Sequence, residues 1–196
     1  GLVQDLYYKK KDVPLMLVIG RAGVQYCLGE ARRIDDDELS SKLRGTAKAM
    51  SFNLAVNCWP AWEDEGITLT ASEAHSGYDL ARLNLRLANE LKRSPDKVAA
   101  AHWLLGAHQL YAGDTEAAIA SFQQAAALSE SVKQADGQHM ALGYAAIARQ
   151  QEEASKKEGD RELAAAIKQL REMDTDDARF YADQLESVSK FFAKQD

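Results

Sequence analysis

A nucleophile and its base would come in this sequence from a pair of side chains, Cys58 with His75 or Cys58 with His108. The loop that carries the cysteine also carries Trp59, Pro60, Trp62 and the carboxylates Glu63, Asp64 and Glu65. A thiol needs a neighbouring base or cation to become a useful thiolate near neutral pH, and no local motif joins either pair. The carboxylate run has no opposing partner for acid–base work and reads as a solvated loop. His102 and His108 fall on different faces of a helix, and neither an H-x3-H nor an H-E-x2-H pattern occurs, His75 and His139 included. Gly20-x2-Gly23 lies in a helical pattern and matches no phosphate-cradling loop. Cys27 and Cys58 are too few, and wrongly spaced, for a zinc or redox motif. A buried free thiol is their ordinary state, and a disulfide would require an oxidising compartment. These residues predict no catalytic, metal or cofactor site, and the chain reads as a non-enzyme.

Charge narrows the partners. The 196 residues carry a net charge of −6, and the one basic run is Lys9, Lys10 and Lys11. Phosphate backbones are held by clustered Lys and Arg, so no nucleic-acid partner is expected. No stretch of about 18 apolar residues occurs, so no membrane partner is expected either. Arg82, Arg86 and Arg93 share a stripe that reads as a solvated face or, alternatively, as a surface for an acidic partner. Cytoplasm is the favoured compartment, although a chain beginning at Gly1 is also compatible with a removed signal peptide.

The elements that must position these residues are helices throughout. Good helix formers dominate, only Pro14, Pro60 and Pro95 occur, and β-branched runs are nearly absent. Asp12 is placed to cap a helix with Pro14 in its first turn, running to about Arg33. A second helix spans roughly 38–57 and stops at Pro60. The long irregular segment 58–71 precedes a third helix at about 72–92, striped by Leu80, Leu83, Leu87 and Leu91. Residues 96–112 and 115–129 form a hairpin around Ala112, Gly113 and Asp114. A helix from near 131 runs into a polar stretch that turns at Gly159-Asp160, a seventh spans 160–172, and a last one at 175–193 carries Tyr181, Leu185, Val188 and Phe192.

A period lies beneath this order. Ala81-x3-Leu85-x2-Ala88 recurs as Ala118-x3-Phe122-x2-Ala125, and Leu105-Gly106 recurs as Leu142-Gly143, both 37 residues later. A helix–turn–helix unit repeating in the thirties points to stacked hairpins.

The segment 99–130 resembles a tetratricopeptide repeat. Leu105-Gly106 occupies the family's L-G slot and Ala118-x3-Phe122 its A-x3-F slot, while His102 and Gln109 replace the family's Trp and Tyr and Glu130 its terminal Pro. Units 38–92 and 131–173 are looser, the latter with a first helix lengthened by about nine residues. The resemblance implies an all-α, α-α superhelix of about three antiparallel hairpins, preceded by an N-terminal helix and closed by a capping helix at 175–193, within one domain over 1–196. It further implies a non-catalytic scaffold for a protein or peptide of unknown identity, with a homo-oligomer as an option. Its concave groove would be lined by Ala100, Trp103, Ala107, Leu110 and Tyr111. Trp103 and Ala107 stand where the family's carboxylate clamp needs Lys and Asn, so the groove is expected to be apolar. Trp59 and Trp62 are expected either to fold back into the core or to form an aromatic ledge beside it. The alternative is a small-molecule or enzymatic pocket lined by 58–71.

Overall fold

A computed structural model describes residues 1–194; positions 195 and 196 of the 1–196 span lie outside them. The described residues are 81% helical with no strand, so the fold is all-α. Contacts divide the chain into two compact units, Gly1–Arg93 and a second that begins at Ser94.

The first unit holds α1 (Leu2–Tyr8), α2 (Val13–Arg33), α3 (Asp37–Asn57) and α4 (Ala71–Glu90). Short polar side chains start the long helices by accepting otherwise orphaned amides. Asp12 accepts from Leu15 N and Asp36 from Leu39 N, each at 3.0 Å. Thr70 and Glu73 form a reciprocal capping box on α4. α3 lies between α2 and α4, which also touch each other. Gly20 and Gly23 let α2 approach α3, since a Cβ there would run into Leu54 and Met50.

The sequence reading places no helix before Asp12, yet α1 is there. It is held from a distance: Leu6 and Tyr7 are buried, and the Tyr7 hydroxyl donates to Asp64 Oδ2 at 2.6 Å. A seven-residue helix is too short to be stable alone, so this tertiary anchoring carries no local signal.

The second unit holds α5 (Pro95–Tyr111), α6 (Thr115–Ser131), α7 (Ala135–Gln150), α8 (Lys156–Glu172) and α9 (Asp176–Ala193). Each packs on the next, α5 also touches α7, and α7 touches α9. The α5–α6 turn uses Gly113 at φ +78°, where a Cβ would be strained, and Asp114 then caps α6 through Ala117 N. Gly106 abuts Phe122, whose ring would lie 2.8 Å from an added Cβ, and Ala118 is fully buried. Gln109 accepts a 2.6 Å hydrogen bond from the Ser121 hydroxyl on α6.

The α7–α8 hairpin corrects one expectation. Gly159-Asp160 is not a turn; the turn is 151–155, and α8 has already begun at Lys156. Gly159 lies inside α8, and a Cβ there would sit 2.7 Å from the Ala146 carbonyl oxygen and 2.9 Å from Gln150 N. The glycine marks a close approach of two backbones, a use that sequence alone confuses with chain reversal. Gly159, Leu163 and Ala166, all buried on α8, repeat the spacing of Ala118, Phe122 and Ala125 on α6. The expected lengthening of the first helix is absent: α7 has 16 residues against 17 in α5, and the hairpin gains only four residues between Gly143 and the start of α8 compared with Gly106 and the start of α6.

Candidate functional site

The residues that would do covalent chemistry are badly placed for it. Cys58 is fully buried, and burial, with Glu73 second, pushes its thiol up to about 12. His75 is exposed on α4, its Nε2 3.7 Å from Asp79 Oδ2. Both cysteines are free and buried. Among the described residues no group of His, Cys, Asp or Glu is arranged to hold a metal, and no helix is long and apolar enough to cross a membrane.

The tryptophan loop folds inward. Pro60–Trp62 is a turn of 3-10 helix, Trp59 is 1% exposed, and the two indoles meet edge to face at 4.7 Å. Trp62 Nε1 donates to the Val56 carbonyl at 2.8 Å, which satisfies its polar edge while the ring stays half-buried. Trp59 is therefore core, and Trp62 alone keeps surface.

The face expected on α5 is also mostly interior. Trp103, Ala107 and Leu110 are buried, while Ala100 and Tyr111 are half-buried. Trp103 meets Tyr144 of α7 edge to face at 5.6 Å, Tyr144 lies 5.3 Å from Phe122, and Tyr111 lies 6.4 Å from Phe191 of α9. Burial holds the Tyr144 hydroxyl well above the ordinary phenol range. These aromatics fill the spaces between α5, α6, α7 and α9, so no open apolar groove runs along those α5 positions.

Arg82 and Arg86 are exposed on α4, Arg82 3.9 Å from Asp79 and Arg86 3.5 Å from Glu90. Arg93 reaches back over α3, where a Cβ on Gly45 would lie 2.5 Å from its Nη2. Arg86 borders an open groove of about 220 Å³ between α2 and α4. Val24, Leu28, Leu80 and Leu83 make its floor, and Arg21, Arg86, Ser76 and Asp79 its rim. Arg21 Nη1 donates to Ser76 Oγ at 3.3 Å across the cleft. A second groove of about 320 Å³, between α7 and α8, contains its own ion pair, Arg149 to Glu162 at 2.5 Å. Sequence reasoning placed Leu80 and Leu83 in a stripe but missed Arg21, Val24 and Leu28. The available signal was an α2 segment whose apolar positions occupy more of the helix surface than one neighbour can cover.

Compared with family models, curated proteins and solved structures, the chain finds no match in any of the three.

Proposed function

We propose that this chain is a non-catalytic, tetratricopeptide-like scaffold that binds a short segment of another protein in the α2/α4 groove. The repeat reading is supported by the α5–α6 hairpin, with Gly106 against Phe122 and Ala118 fully buried. It is supported again by the recurrence of the buried spacing in α8. The observation that carries the function is the groove itself: an apolar floor of Val24, Leu28, Leu80 and Leu83 under a rim with Arg21 and Arg86.

Its volume decides the ligand class. At about 220 Å³ it falls below the range of about 300–1,000 Å³ that holds cofactors and drug-sized molecules. It suits one or two apolar side chains of a peptide, with a carboxylate beside them facing the two guanidiniums. The alternative pocket at 58–71 rests on Trp59, Trp62, Cys58 and His75; Trp59 and Cys58 are buried, Trp62 is tied to the Val56 carbonyl, and His75 is exposed on α4. The test is selection from a random peptide library on the full chain. Bound peptides should pair an apolar residue with Asp or Glu and lose affinity for the Arg86→Glu chain. A selection enriched in basic peptides, or indifferent to Arg86→Glu, would overturn the assignment.

A further inference from the structure

The outward face of α2 is apolar and uncovered. Leu15, Val18 and Tyr26 are 42%, 66% and 67% exposed, and Ala22 between them is exposed as well. They follow the three-and-four spacing that places residues on one stripe of a helix. Gly29 continues the stripe and raises a separate question. Gly20 and Gly23 of the same helix are explained by α3, whereas no heavy atom lies within 4 Å of where a Gly29 Cβ would stand. A glycine inside a helix costs helix stability, and no side chain among the described residues approaches closely enough to require this one.

We propose that α2 pairs antiparallel with α2 of a second copy of this chain, centred on Ala22. That register sets Leu15 opposite Gly29 of the second copy, large against small, and Val18 opposite Tyr26, with the two Ala22 residues meeting at the two-fold axis. The charges at the helix ends select the second copy as occupant and fix the direction. Exposed Lys10 and Lys11 lie just before α2, next to Lys9, which is paired with Asp5 at 2.7 Å; exposed Asp35 and Asp37 lie just after it, next to Asp36, which caps α3, and Glu38, which is paired with Lys42 at 2.6 Å. Antiparallel pairing brings each lysine run to the other copy's acidic run; parallel pairing sets like against like. Arg32 and Arg33 also stand at the acidic end, but Arg33 is bonded to Glu30 at 2.8 Å.

Area sets the strength. A helix of 21 residues is about 32 Å long, and one face about 10 Å wide covers much less than the ~800 Å² per partner of a standard interface. The dimer is therefore weak and exchanging.

Sedimentation velocity on the full chain, from about 5 to about 300 µM, tests this. The expected result is a reversible monomer–dimer equilibrium that Val18→Glu weakens at least roughly tenfold and that raised salt weakens too. Because Val18 is exposed, the variant keeps its circular dichroism spectrum and melting temperature. Direction is read by disulfide trapping, the native cysteines being buried: Ala22→Cys crosslinks to itself, and Leu15→Cys crosslinks to Gly29→Cys but not to itself. A strict monomer throughout the range, a dimer indifferent to Val18→Glu, or Leu15→Cys self-crosslinking faster than Ala22→Cys would overturn the proposal. Peptide selection in the α2/α4 groove is a separate readout, so the two readings can fail independently.

Discussion

Helix pairs two apart in the chain order are used differently in the two units. In the second unit, α5 meets α7 through Trp103 and Tyr144, and Tyr144 reaches Phe122 of α6, so the space between them is filled with rings. In the first unit, α2 meets α4 across an open cleft, and the far side of α2 is left bare. The sealing is confined to the α5–α6–α7 part of the second unit, whose open groove lies between α7 and α8. Small residues against large rings close the α5–α6 hairpin on itself, whereas α2 of the first unit keeps apolar side chains exposed. Exposed apolar surface is the more informative observation.

The sharpest way to break this contrast is to treat α5 as a binding face. If Trp103 is structural, Trp103→Ala costs about 3–5 kcal/mol, measured by chemical denaturation, and exposes no binding phenotype separable from unfolding. Next is Gly159→Ala. Its Cβ would meet backbone atoms of α7, which cannot move aside as a side chain can. A loss of about 2–3 kcal/mol is expected, with faster hydrogen exchange within α7 and α8.

In the first unit, Tyr7→Phe removes the hydroxyl that holds α1 to Asp64. A loss of about 1–2 kcal/mol is expected, together with earlier proteolysis near the N-terminus. The smallest effect concerns pH. Burial lowers the pKa of His102 below its ordinary value, so at mildly acidic pH the unfolded chain binds this proton more readily than the folded one. Stability from this residue is present above the unfolded histidine value of about 6.5 and is lost as pH falls through that value towards the lower folded one. His102→Gln should flatten that part of the melting-temperature profile between about pH 7 and 5.

The helices were legible because their signals are local. Asp12, Asp36, Asp114 and Thr175 each accept from the amide three residues on and cap a helix, and Pro60 follows the end of α3. The α5–α6 hairpin was legible because its small and large residues touch each other. What failed depended on distant partners. Gly159 looks like a turn until Ala146 and Gln150 are placed beside it. Likewise α1 has no helix signal of its own without Asp64. The α5 face was carried over from a family pattern in which those positions line a groove. Here Tyr144 occupies that space, and no spacing rule reveals which aromatic fills it. The α2 surface was missed because its stripe reads as core until α3 is seen to cover only the other side.

The most direct measurement compares affinity for one library-selected peptide across three chains: the unaltered protein, Leu83→Gln in the α2/α4 groove, and Ala100→Glu on α5. Circular dichroism confirms that all three fold. The expected result is binding lost at least roughly tenfold in Leu83→Gln and unchanged in Ala100→Glu. Binding kept by Leu83→Gln and lost by Ala100→Glu would contradict the assignment and return the site to α5.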